Sequence, residues 1–170
     1  MSQQRYRILT RITTHPGEHF NRLAKKLDLA PGQVQYHIRQ LERQNQVIEE
    51  NLYGRTHYYI PSYGGWERRA IAVLRRETAR EILFHLLENG ESSPNEITDA
   101  LSIARSTLEW HVDHLVEQDL VRKQRDPRNH VTLTVANPAN IVALLEEIKP
   151  TFQARMVDRL TRFVDTFLED

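Results

Sequence analysis

Gln33, Gln35, Tyr36, Arg39 and Gln40 crowd into eight residues around the apolar positions Val34, Ile38 and Leu41. At helical spacing the three apolar residues share one face, with His37 near its edge, and the polar five stand on the other. Those five side chains suit recognition rather than bond-making. Gln can bond adenine at N6 and N7, Arg can grip guanine at O6 and N7, and Tyr or Arg can equally hold phosphate. Arg22, Lys25 and Lys26 just upstream, and Arg55 downstream, are point charges of the kind that neutralise a phosphate backbone. Any one of these could be an ordinary solvated residue, but the cluster as a whole points to double-stranded DNA.

Other chemistries find less support. The eight His include His111 and His114 at i, i+3, and His15 and His19 at i, i+4, the latter interrupted by Pro16 and Gly17. Neither pair has a convincing third ligand, so structural roles are expected and no metal. Without any Cys, disulfides and thiolate chemistry are excluded. No phosphate-cradling Gly loop, nucleophile elbow or spaced carboxylate pair occurs, so the expectation is no cofactor and no enzyme.

Net charge is zero, but it is unevenly spread: residues 1–66 hold nine Lys or Arg against five Asp or Glu, and residues 67–170 hold fourteen against eighteen. The basic part, which also contains all six Tyr, is where a polyanion should bind. No apolar run reaches the roughly 20 residues of a membrane span and the first residues lack a signal-peptide pattern, so a cytoplasmic location is expected.

The elements that must position these residues come from an internal repeat. A shift of 74 residues lays Ile8 on Ile82, Leu23 on Ile97, Leu27 on Leu101, Val34 on Leu108, His37 on His111, Leu41 on Leu115 and Gln44 on Gln118 without a gap. Amphipathic helices match by chance, but matching loops together with the His and Gln pairs do not easily do so. Each copy reads as helix, helix, short turn, helix and two strands. In the first, helices are predicted over about 4–14, Phe20 to Leu27 and Pro31 to Gln44. Asp28-Leu29-Ala30 is the turn that sets the last two at a steep angle. Strands over Val47 to Leu52 and Thr56 to Ile60 flank Tyr53-Gly54-Arg55. In the second, the corresponding elements are Ala79 to Leu87, Pro94 to Leu101, Arg105 to Gln118 and strands near Leu120 to Gln124 and Val131 to Val135. Trp66 to Leu87 reads as one long helix, and Asn137-Pro138 as a cap opening another that runs through about Ile148.

The run Leu27-Asp28-Leu29-Ala30-Pro31-Gly32-Gln33-Val34-Gln35-Tyr36-His37-Ile38-Arg39-Gln40-Leu41 resembles the helix-turn-helix of ArsR-like and MarR-like prokaryotic regulators. Gly54-Arg55-Thr56-His57-Tyr58-Tyr59-Ile60 resembles their Gly-Arg-x-x-Tyr-Tyr wing. The resemblance covers residues 5–61 well and 80–136 more loosely, and the two-copy arrangement is similar to regulators found in archaea. It implies a mainly α fold with small antiparallel β wings: two tandem winged helix-turn-helix domains plus C-terminal helices. It also implies that the third helix enters the major groove, with the wing on the flanking backbone. Ala30 and Ala104 depart from the Ser that commonly caps that helix, and the missing Cys removes the metal-sensing role.

The expected division is 1–63 for the DNA-reading domain, 64–136 for the second domain and 137–170 for a helical tail. In the second copy Glu109 and Asp113 stand where Gln35 and Arg39 stand in the first, so only auxiliary DNA contacts are expected there, from Arg105, Ser106, Thr107, Arg125 and Arg128. Trp110 is expected to pack against the first copy, with the wall of an effector pocket as the alternative. In the tail Phe152, Met156, Leu160, Phe163 and Phe167 form one apolar stripe, expected to join two chains as a homodimer, with folding back on the second domain's first helix as the alternative. Tandem winged helices also serve as docking subunits of chromosome-organising complexes, the rival reading to a transcription regulator.

Overall fold

A computed structural model describes residues 1–148, 158–159, 161–162, 164–165 and 168–169. The first unit comprises α1 (Gln3–Thr14), α2 (Phe20–Leu27), α3 (Pro31–Arg43), β1 (Ile48–Leu52) and β2 (Arg55–Tyr59). It is followed by α4 (Gly65–Leu74), α5 (Glu77–Asn89), α6 (Pro94–Leu101), α7 (Arg105–Glu117), β3 (Val121–Arg125), β4 (Val131–Val135) and α8 (Pro138–Ile148). Among the described residues the fold is mainly helical with two antiparallel two-stranded sheets, β1 on β2 and β3 on β4. None of the described helices is long and apolar enough to cross a membrane.

The repeat is written into the backbone. Helices α6 and α7 begin and end 74 residues after α2 and α3. Asp28 and Ser102, which end α2 and α6, both take left-handed φ, as do Asn45 and Asp119 after α3 and α7. A short polar side chain tolerates that conformation better than a branched one, which explains the residue types at these four stops. Both units also add a bridge to the outer strand of the hairpin, His19 to His57 in the first and Ser92 to Leu133 in the second.

Two apolar cores result. Ile8, Ile12, Leu23, Val34, Ile38, Leu41 and Tyr58 fill the smaller. The larger joins Ile71, Leu74, Ile82, Phe84, Ile97, Leu108, Val112 and Leu133 to Ile141, Leu144, Leu145 and Ile148 of α8. Tyr59, from the first unit's own β2, is buried in the larger core while its neighbour Tyr58 is buried in the smaller. Alternate residues of a strand point to opposite faces, so one strand serves both.

Trp66 to Leu87 is not one helix, contrary to the pattern. Arg76 adopts an extended conformation (φ −86°, ψ 124°) between α4 and α5. Both arginines at the corner are engaged with the first unit. Nε and Nη2 of Arg75 donate to the carbonyl of Pro16 at 2.9 and 2.6 Å, and Nη2 of Arg76 donates to that of Tyr53 at 2.6 Å. The two half-buried carbonyls gain partners that a straight helix would not deliver. Burial pulls the Arg75 guanidinium down to about 10, although Glu18 nearby favours its charged form.

The dimerisation stripe of Phe152, Met156, Leu160, Phe163 and Phe167 lies outside the described residues. Of that segment, Arg159 sits on α5, with Nη1 2.9 Å from Glu81, Nε 3.1 Å from Glu88 and its guanidinium over the ring of Phe84.

Candidate nucleic-acid interface

Pro31 opens α3 where its missing N–H has no helical partner, and Ala30 before it offers no capping oxygen. Gln33 supplies half of a cap in reverse: the Ala30 N–H donates to its Oε1 at 3.3 Å. The side-chain oxygen of Gln33 is thereby committed to the helix start, leaving its NH₂ for a ligand. Val34, Ile38 and Leu41 are buried, and Gln35, Tyr36 and Arg39 are exposed with Gln40 half-buried. Tyr36 is 57% exposed, its ring edge-on to His37.

Opposite α3 stands the β1–β2 hairpin. Its turn residues Tyr53 and Gly54 both have positive φ, 52° and 78°, the conformation a two-residue turn needs to match strand twist. Between hairpin and helix runs a groove of about 560 Å³ whose walls include His19, Asn21, Gln35, Arg39 and Arg55. Sequence reasoning missed the other character of this groove: Glu42 and Glu49 line it too. Burial pushes the Glu42 carboxyl above its usual range and the charge of Glu49 pushes it further. Nothing in the local sequence marks them, because they meet only when the strand folds back beside the helix.

The phosphate candidates separate. Lys25 and Lys26 are exposed on the last turn of α2, and neither they nor Arg39 or Arg55 forms an ion pair among the described residues. Arg22 is different, its Nε lying 3.2 Å from buried Glu18. Glu18 also receives a two-pronged grip from Arg11, with both N···O distances 2.7 Å.

The second unit offers a weaker set. Ser106, Thr107, Arg125 and Arg128 are exposed. Arg105, however, is bound to Glu109 at 3.0 Å and to Asn95 at 3.1 Å, and Lys123 reaches Glu109 at 3.1 Å. Burial acts to raise the Glu109 carboxyl, but those two cations win and hold it below its ordinary value. Arg125 bonds Asn129 within the longer second hairpin loop. Trp110 remains 43% exposed and lies under the Arg76 guanidinium at 4.8 Å, its ring edge-on to those of His111 and His114.

The matched His37 and His111 each bury Nδ1 without a hydrogen-bond partner among the described residues. Among the described residues no group of three His, Asp or Glu is placed to hold a metal ion.

Residues 2–71 match a family of N-terminal HTH domains, and residues 75–122 match the winged helix-turn-helix DNA-binding family. No curated protein matches the chain significantly. Among solved structures, similar ones include reduced HlyU from Vibrio cholerae, at 24% identity over 49% of this chain and 87% of that one, with a TM-score of 0.42. A transcriptional regulator from Thermotoga maritima is 20% identical over 62% of this chain and 71% of that one, with a TM-score of 0.40. AbfR bound to DNA is 16% identical over 87% and 93%, with a TM-score of 0.42. One family match lies over each copy of the repeat, so the chain carries two helix-turn-helix units in tandem, the second matching the winged helix-turn-helix DNA-binding family.

Proposed function

We propose that this protein is a sequence-specific regulator of transcription that reads double-stranded DNA with α3, rests its first wing on the flanking backbone, and works in the cytoplasm. The groove between α3 and the wing carries the reading. Gln35, Arg39 and Arg55 face one space, and neither guanidinium there is neutralised by an ion pair among the described residues. Unpaired cations flanking hydrogen-bonding amides suit a ligand that presents phosphates beside base edges. Glu42 and Glu49 in the same groove repel phosphate, which favours entry in a register that keeps the backbone near Arg55 and Lys25. Lys26, Tyr36, Gln33 and Gln40 complete the proposed contacts, with Arg22 divided between Glu18 and a phosphate. No catalytic role is proposed. A homodimer formed through the tail is the part of the proposal that rests on the sequence pattern alone, and the ion pairs of Arg159 with α5 support the fold-back alternative for that segment.

Genomic fragments selected for binding at two salt concentrations provide the cognate site. On it, Arg39→Ala and Gln35→Ala are each expected to lose roughly 1–3 kcal/mol relative to random DNA. Equal loss on both DNAs would reassign the residue to phosphate. Arg55→Ala should weaken cognate and random DNA alike and lower the slope of log K against log salt by about one. An unchanged slope removes Arg55 from the interface, and a wild-type protein that retains no fragment at either salt concentration favours the docking-module reading.

A further inference from the structure

The repeat creates a second helix equivalent to α3, and the positions of α7 that answer to Gln35, Tyr36 and Gln40 are Glu109, Trp110 and His114. All three are occupied. Glu109 is held by Arg105 and Lys123, Trp110 lies under Arg76, and the ring of His114 is 4.4 Å from that of Tyr53 in the first unit's wing turn. Tyr53 is gripped at two further points. Its hydroxyl accepts from Gln118 Nε2 at 2.7 Å, and its carbonyl accepts from Arg76 at 2.6 Å. Gln118, only 4% exposed, is itself fixed: its Oε1 accepts from Arg69 at 3.2 Å and its carbonyl from Trp66 Nε1 at 2.7 Å. On the adjoining strand Arg68 holds Glu50 at 2.7 Å.

We propose that the second unit is a clamp for the first unit's wing rather than a second reader of DNA. The base of the hairpin is fixed by buried His57, Tyr58 and Tyr59, and a turn left mobile beyond it would have to be ordered on binding. Anchored through Tyr53, the turn holds Arg55, two residues on, at a fixed place opposite α3. Tyr53 and Gln118 are positioning residues for the interface, and each chain presents one reading helix. The binding consequence rests on the DNA-reading function proposed above. The anchoring itself does not.

Tyr53→Asn separates the two, because Asn tolerates the left-handed φ of this turn while removing ring and hydroxyl. In hydrogen exchange without DNA, amides of residues 51–56 are expected to exchange about tenfold faster while those of α3 are unaffected. On cognate DNA the variant should bind about fivefold more weakly with a salt slope lower by about one. Combined with Arg55→Ala it should bind no worse than Arg55→Ala alone, because both remove the same contact. Unaltered exchange in the wing overturns the clamp whether or not the protein binds DNA. Faster exchange with losses that multiply in the double variant overturns the positioning of Arg55. A wild-type protein that binds no DNA defeats the regulator reading, and the exchange result then decides the clamp alone. Tyr53→Phe, which lacks only the hydroxyl, should give the same pattern at smaller amplitude and replaces Tyr53→Asn if that variant does not fold.

Discussion

Glu18→Gln is expected to destabilise the folded protein by roughly 3 kcal/mol, at the low end for breaking a buried ion pair because Arg11 keeps some contact with water. The carboxylate is 3% exposed and takes both prongs of Arg11 at 2.7 Å, with Arg22 at 3.2 Å, so its removal leaves Arg11 without its counter-charge and takes a negative charge away from Arg75. Urea unfolding should give a lower midpoint at unchanged slope. Acid provides the second half of the experiment. Burial acts to raise the Glu18 carboxyl, but Arg11, His15 and Arg75 prevail and keep it below its ordinary 4.5. A carboxyl lowered on folding contributes stability that is fully present above the unfolded value and is lost as pH falls through the folded one. The gap between wild type and variant should therefore close as the pH drops below about 4.5. A gap that stays constant down to about pH 3 would show that the ionised carboxylate is not its source.

Gly17→Ala should cost a similar amount, roughly 2–5 kcal/mol, from left-handed strain and overpacking together. Gly17 has φ +76°, and a Cβ there would stand 2.6 Å from Ile71 Cγ2 and 3.2 Å from the Tyr59 ring. Ile71 and Tyr59 are both fully buried, so neither can move aside cheaply. The Gly17 N–H also donates to the Tyr58 carbonyl at 2.9 Å, and its own carbonyl lies 2.7 Å from His57 Nδ1. Thermal unfolding is the direct measurement. A melting temperature within a degree or two of wild type would mean that this corner is looser than its contacts imply.

The sequence patterns that transmit to the fold are the local ones. Apolar spacing in α2, α3, α6 and α7, the stop at Asp28 and its counterpart Ser102, and the Tyr53-Gly54 turn can all be read from neighbours a few residues apart. The break at Arg75-Arg76 cannot, because both arginines are good helix formers and their partners, Pro16 and Tyr53, lie 59 and 23 residues away. The interface is legible in the same uneven way. Gln35 and Arg39 follow from helical spacing, and Arg55 from the wing pattern, and the groove brings the three together. The reversed cap by Gln33, the tie from Arg22 to Glu18 and the acidic pair Glu42 and Glu49 depend on cross-chain geometry that no short window contains. The setting of Trp110 is hidden for a related reason: helix periodicity predicts which face it occupies but not that Arg76 is delivered over it by a break between two other helices.

Tyr58 and Tyr59 bear on what a duplicated chain can become. Two copies joined only by a tether are free to drift apart, each keeping or losing its function under separate selection. Here adjacent residues of β2 belong to different cores, and a substitution that shifts this strand is felt in both at once. Melting either core exposes one of these tyrosines to water, so partial unfolding is penalised and the copies are bound into one cooperative unit. A second copy that serves as a clamp is then not dispensable, because Tyr59 of the first copy is buried in its core.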